Sequence, residues 1–228
     1  MLKKTYWGSS KKKNKRKRES INDSSDSDES TSDSNITKMP IIISKSGSNT
    51  LYSNFNHIYF NNDISSDSAF ELCKELRNVE TKIKTLSASL SINKYPIYLH
   101  ITTDGGLVYS AFSIIDCIKN LSVPVYTIVD GFVASAGTLI SLSGEKRYMC
   151  ENAYMLIHEL RGGTWGKMSE VDEEHTNLKK IMEHIKKIYT EKTKIKKKNL
   201  DGILKKDLIW DVEECIKNGL IHEIYKPI

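Results

Sequence analysis

From Leu51 onward the sequence alternates short β-type apolar runs with longer runs whose apolar residues recur every three or four positions, and no other feature narrows the fold so far. His57-Ile58-Tyr59-Phe60 reads as a strand. Ser66 to Leu90 carries Ala69, Phe70, Leu72, Cys73, Leu76, Val79, Ile83 and Leu86 at helical spacing. Pro96 to Ile101 is a second strand, closed by Thr102-Thr103-Asp104-Gly105-Gly106. Leu107 to Asn120 is a second helix, and Val123 to Val129 a third strand that Asp130-Gly131 interrupts. Such β-α-β-α-β-α order favours parallel strands joined by crossover helices, with ligands received by the loops at the strand C-termini. The loops at Asp104–Gly106 and Asp130–Gly137 both occupy that position, so they are candidates to share one site.

The region 148–158 contains a further strand, Tyr154-Met155-Leu156-Ile157, leading into His158. Met168 to about Lys194 reads as a long amphipathic helix with Val171, Leu178, Ile181, Met182, Ile185, Ile188 and Tyr189 on its apolar side. A last helix starts at Asp211, where Asp211 and Glu214 have capping-box spacing, and stops at Gly219. Leu220 to Tyr225 is the closing strand.

Charge is distributed unevenly. The net charge is +5, but residues 1–40 hold 10 Lys/Arg against 6 Asp/Glu while the remainder holds 24 against 23. The body is nearly neutral, so nucleic-acid binding through it is not indicated. The tail opens with a basic block, Lys11 to Arg18, followed by the acidic serine-rich run Asp23 to Asp33. Neither can bury enough apolar surface to offset chain entropy, so residues 1–48 are expected to be a disordered charged tail ahead of one domain over 49–228. The basic block has the composition of a nuclear-import signal, of a nucleic-acid-binding arm or of a solubilising tail. No stretch approaches the ~18 consecutive apolar residues that span a bilayer, and no secretory signal opens the chain. Four scattered cysteines without a CxxC point to reduced thiols, and hence to a cytoplasmic setting, with a nuclear one attached to the basic block.

The chemistry-bearing residues lie at the strand ends. Gly131-Phe132-Val133-Ala134-Ser135-Ala136-Gly137-Thr138 sets a serine among small residues where a strand passes into a helix. There its hydroxyl stands near backbone N–H groups of the kind that form an oxyanion hole, although a serine at a helix start also serves plain packing. It is not a G-x-S-x-G elbow. Of six histidines, His158 is best placed as its base, ending an apolar strand beside a Gly-Gly loop. Asp207, ahead of a helix already capped by Asp211, is the spare carboxylate to orient it. No HExxH, clustered Cys/His, GxxxxGK[ST] or GxGxxG occurs, so no metal, dinucleotide or ATP site is indicated.

Taken in order, Asp104-Gly105-Gly106, Gly131 to Thr138, Tyr154 to His158 and Asp207 to Gly219 resemble the proteolytic subunit of the Clp protease over most of residues 51–226. The resemblance aligns Ser135 as nucleophile, His158 as base and Asp207 as the triad carboxylate, with Gly106 and Ala136 supplying the oxyanion N–H groups. It implies an α/β, crotonase-like spiral of ββα units with a protruding handle helix and strand, the handle matching Met168 to Lys194. It further implies heptameric rings stacked into a tetradecamer, protein and peptide substrates, no cofactor in this chain, and an AAA+ unfoldase partner that spends the ATP. The sequence departs from the family at Asp104, at Glu159-Leu160 and at Lys206, where proline, Gln-Pro and arginine are usual. Two other readings share the pattern. One is a non-catalytic ring subunit, and the other is another crotonase-fold enzyme, such as an acyl-CoA hydratase-like protein or a Ser-Lys peptidase.

Overall fold

A computed structural model of the chain describes residues 6–7, 51–90 and 95–227. In chain order the elements are β1 (Tyr6–Trp7), β2 (Leu51–Asn54), β3 (His57–Asn61), α1 (Ser66–Leu90), β4 (Ile97–Thr103), β5 (Gly106–Leu107), α2 (Val108–Lys119), β6 (Val125–Ala134), α3 (Ala136–Ser141), β7 (Lys146–Met149), β8 (Tyr154–Ile157), α4 (Met168–Lys192), α5 (Lys197–Leu204), β9 (Leu208–Trp210), α6 (Val212–Asn218) and β10 (Glu223–Ile224). The main sheet runs β10-β7-β6-β4-β3-β2, with β8 joined to β6 and β9 to β8. Pairings β3–β4, β4–β6, β6–β7, β6–β8 and β7–β10 are parallel, whereas β2–β3 and β8–β9 are antiparallel.

The sheet is centred on β4 and β6, and their composition explains why. Ile97, Leu99 and Ile101 of β4 alternate along one face with Val125 and Val129 of β6 beside them, all buried, while Ile128 is buried on the other face. Next to β4, β3 alternates, with Ile58 and Phe60 buried between exposed Tyr59 and Asn61. Helices α1 and α2 cover the sheet with Leu72, Leu76, Val79 and Ile83 from one and Ala111, Ile114, Ile115 and Ile118 from the other, forming one apolar core. Each such aliphatic side chain contributes about 1.5–3 kcal/mol on burial.

Strand β6 positions the site because it is long enough to serve two neighbours. Tyr126–Val129 pair with β7, while Phe132–Ala134 pair with β8 on the same edge. A register shift between Ile101 and Thr103 brings Thr103 of β4 opposite Val133. The glycine at 131, expected to end the strand, lies inside it.

The capping residues act as their chemistry requires. Ser65 and Ser68 cap α1 reciprocally, each hydroxyl accepting the other's backbone N–H at 3.0 and 2.9 Å. Asp211 and Glu214 form the capping box of α6, which ends at Gly219 in the left-handed conformation. Long helix α4 buries only Ile181, Ile185 and Tyr189, so its N-terminal half, with Met168 exposed, stands clear of this chain's core. Four differences from the sequence reading stand out. The 148–158 segment holds a strand on each side of a turn, β7 and β8. The Lys-rich stretch after α4 contains α5 and β9, and the closing strand is only Glu223–Ile224. Finally, Tyr6–Trp7 forms strand β1 against β5 inside the segment read as a disordered tail; the Lys11–Arg18 and Asp23–Asp33 blocks lie outside the described residues. No helix among the described residues is long and apolar enough to cross a membrane.

Candidate active site

At the C-terminal ends of β4 and β6 the two glycine-bearing loops meet. Ser135 joins β6 to α3 with φ +60° and ψ −127°, a region that side-chain-bearing residues rarely occupy. Its N–H donates to the Leu156 carbonyl at 2.9 Å, and its carbonyl accepts from the Thr138 hydroxyl at 2.7 Å. The Thr138 hydroxyl in turn bonds Tyr189 of α4, a fully buried phenol whose ionisation burial opposes. The turn is thus fixed from both sides. The Ser135 hydroxyl itself is buried and has no hydrogen-bond partner, a cost of about 1–3 kcal/mol for a buried polar group. Such a group calls for a reason in chemistry or in strain.

Gly105 packs directly on Ser135. A Cβ at 105 would stand 2.6 Å from Ser135 Cβ and 3.1 Å from its Oγ. Gly106, at φ +146°, has no room either, since a Cβ there would fall 2.2 Å from the Ile64 carbonyl oxygen. Ile64 grips the loop by donating its N–H to the Gly105 carbonyl and accepting from Leu107 N–H, both at 2.8 Å. By strand alternation the Gly106 N–H and carbonyl then face the opposite edge, and on that edge β1 lies antiparallel, with Trp7 beside Gly106 and Tyr6 beside Leu107. Ala136 opens α3, so its N–H is among those a helix leaves without an intrahelical acceptor.

The acid–base side comes from β8 and β9. Their antiparallel register, Met155↔Trp210, Leu156↔Ile209 and Ile157↔Leu208, leaves His158 and Asp207 as the residues that follow and precede the last pair. Glu159 N–H, bonded to the Leu204 carbonyl at 2.8 Å, holds that end of the ribbon. His158 is 2% exposed. Burial above all, then the Arg161 guanidinium, holds its imidazole below the ordinary value, while the Asp207 carboxylate and a backbone hydrogen bond at Glu159 pull upward. A neutral imidazole at pH 7 results, the form a general base requires. Asp207, however, is hydrogen-bonded to Arg161, and both side chains are about half exposed.

The structure therefore brings Ser135, His158, Asp207, Gly106 and Ala136 to the strand ends around the β6–β8–β9 junction. It does not show a closed Ser-His-Asp relay, because the Ser135 hydroxyl is unbonded and the Asp207 carboxylate is engaged by Arg161. Arg161 was not singled out in the sequence; an arginine three residues past His158 in a lysine-rich chain was its only signal. A second His–Asp pair has no signal in the sequence either. His100 Nδ1 lies 2.8 Å from Asp130 Oδ1 and its Nε2 lies 3.0 Å from His57 Nδ1, on the sheet face lined by Tyr59, Tyr98 and Tyr225. Its residues come from three strands and share no motif. Among the described residues no three His, Cys, Asp or Glu side chains converge as a metal site.

Comparison with known proteins bears on the same residues. A family model described as Clp protease matches residues 46–227. The ATP-dependent Clp protease proteolytic subunit 2 of Treponema denticola is 35% identical over 160 residues, covering 69% of this chain and 80% of that protein. The proteolytic subunit of Streptococcus mutans is 35% identical over 136 residues, covering 58% of this chain and 69% of that protein. Among solved structures, a mutant ClpP1 from Listeria monocytogenes superposes with a TM-score of 0.62 at 27% identity, covering 73% of this chain and 88% of the other.

Proposed function

The chain belongs to the Clp protease family, as a protein of the proteolytic-subunit type, and we propose that it is an active serine endopeptidase working through a covalent acyl-enzyme. The observation that carries the reading is the Ser135 corner: a positive-φ turn, a buried hydroxyl without a partner, and a two-glycine loop packed against it. A substrate chain would lie extended along β5, on the edge where β1 pairs. Its scissile carbonyl is then attacked by Ser135 Oγ as His158 takes the hydroxyl proton. The Gly106 and Ala136 N–H groups receive the oxyanion, and a donor of this kind is typically worth ~2.7–4 kcal/mol. His158 returns the proton to the leaving amine, and water releases the acyl group by the reverse sequence.

For Asp207 to orient His158 it has to exchange Arg161 for the imidazole. Because His158 and Asp207 flank the last β8–β9 pair, Ile157↔Leu208, this reading asks for a side-chain rotation and not a strand movement. The reading carries the rest of the family's arrangement with it: self-association into stacked rings through the projecting half of α4, protein substrates delivered by an AAA+ unfoldase that hydrolyses the ATP, and a cytoplasmic setting. It assigns the chain itself no cofactor.

One observation favours a second reading, that of a ring subunit without catalysis of its own: the relay is open at both Ser135 and Asp207. Fluorophosphonate labelling of the full chain, mapped by peptide mass, separates the two. An active enzyme labels at Ser135, and Ser135→Ala abolishes both labelling and peptide hydrolysis, a fall of about 10⁶-fold in kcat by analogy with other serine triads. Absence of labelling in a sample shown by sedimentation to be assembled would establish the non-catalytic subunit instead.

A further inference from the structure

Four cysteines scattered through the sequence gave no sign of pairing, yet the fold brings two of them together. Where α1 and α2 pack, Cys73 and Cys117 face each other in the core, 7% and 5% exposed. The Cys117 thiol donates to the Cys73 carbonyl, Sγ to O 3.7 Å, and the Cys73 thiol points at the Ser113 carbonyl, 3.9 Å away and one turn before Cys117. Each sulfur sits against the backbone of the other's helix.

Their surroundings favour reaction over inert packing. A cleft of about 360 Å³ is lined by Phe70, Cys73, Arg77, Tyr109 and Ser113, so small solutes reach the Cys73 side of the pair from solvent. The neighbouring Cys73 side chain draws the Cys117 thiol below its ordinary value, against burial, with the Arg77 guanidinium assisting and Glu80 opposing. The Cys117 side chain and burial push Cys73 up. Of the two, Cys117 is the one whose ionisation is favoured, and the thiolate is the form that reacts with oxidants. The remaining cysteines are the contrast: burial, with the Asp130 carboxylate 3.6 Å away, pushes Cys150 up to about 11, and burial pushes Cys215 up to about 12.

We propose that Cys73 and Cys117 form a peroxide-oxidisable dithiol that closes to an intrachain disulfide tying α1 to α2. The Cys117 thiolate attacks one oxygen of hydrogen peroxide; an S–O bond forms, the O–O bond breaks, and the departing hydroxide takes a proton to become water. The Cys73 sulfur then attacks the sulfenic sulfur. The S–S bond forms, the S–O bond breaks, and the hydroxyl leaves as water with the proton of Cys73. Two thiols lose two electrons and one peroxide is reduced to two waters. The link has a place in the fold beyond the two helices. Helix α1 follows Ile64 and α2 follows Leu107, the residues whose backbone bonds hold the Gly105-Gly106 loop. The disulfide therefore braces the two helices that lead away from that loop.

The full chain, purified reduced, treated with hydrogen peroxide and then alkylated, tests this by intact mass and peptide mapping. The expected result is loss of two of the four alkylatable thiols, a mass lower by two hydrogens, and a Cys73–Cys117 cross-linked peptide that dithiothreitol separates. The oxidised chain melts at a higher temperature than the reduced one, and reduction reverses the shift. Cys73→Ser removes the cross-link and leaves Cys117 as a sulfenic acid that dimedone tags. Four alkylatable thiols after peroxide, oxidation confined to Cys150 or Cys215, or a disulfide between chains would each overturn the proposal. The cross-linked peptide is read in the unmutated chain, so a variant that fails to fold leaves the test intact.

Discussion

Ser135 and Gly106 are held by main-chain bonds and by steric exclusion, while Asp207 and Arg161 face each other as half-exposed side chains across a short ribbon. On the nucleophile side, the Leu156 carbonyl, the Thr138 hydroxyl and the Ile64 backbone each fix one group, and a Cβ has no room at Gly105 or Gly106. On the acid–base side, the register of β8 and β9 sets where His158 and Asp207 stand but leaves the carboxylate's partner to rotamer choice. Backbone geometry is costly to distort, whereas an exposed ion pair contributes about 0–1 kcal/mol and exchanges readily. On the proposed reading, the Ser135 corner and the glycine loop are set by the backbone, with β1 on the Gly106 edge, whereas the His158–Asp207 pairing is left to a side-chain rotation.

The largest effect expected from breaking this comparison is at Asp207. Asp207→Asn should lower kcat by about 10⁴-fold, as loss of the orienting carboxylate does in other triads, with little change in melting temperature because the pair it leaves is exposed. The acidic limb of its pH–rate profile should also move down, since the carboxylate raises the His158 value. An unchanged rate would remove Asp207 from the triad. Next comes Gly106→Ala, which meets the Ile64 carbonyl at a backbone angle that alanine rarely adopts. It should cost at least about 10²-fold in peptide hydrolysis, the scale of a lost oxyanion donor, and should lower the melting temperature as well. Near-normal activity in that variant would mean that the loop is not rigid. The smallest effect is at β1: removing residues 1–8 should lower KM for short peptides a few-fold by vacating the Gly106–Leu107 edge, with kcat little changed. A higher KM would instead make β1 part of the substrate site.

Much of this was legible in the sequence because it rests on local chemistry. Apolar period located α1, α2 and α4; Asp211, Glu214 and Gly219 bounded α6; and the glycines at 105 and 106 and the serine at 135 marked the strand ends that meet. What was not legible depends on partners far along the chain. Strand β9 has three residues and is a strand only because β8 pairs with it, and α5 offers little apolar pattern beyond Leu200, Ile203 and Leu204 among lysines. The Arg161–Asp207 pair spans 46 residues, the His100–Asp130 pair 30 and the Cys73–Cys117 contact 44. Tyr6–Trp7 carries too few residues to announce a strand within a charged tail, and only the exposed edge of β5 gives it one.

The proposed role of Arg161, holding the Asp207 carboxylate away from His158, is tested most directly by the rate of fluorophosphonate labelling at Ser135 across pH for the wild-type chain and Arg161→Gln. Arg161 lowers the His158 value, so its removal should shift the acidic limb to higher pH, while the plateau rate stays the same or rises as Asp207 turns to the imidazole. A plateau that collapses in Arg161→Gln as it does in Asp207→Asn would show that Arg161 is part of the machinery, and would contradict the account.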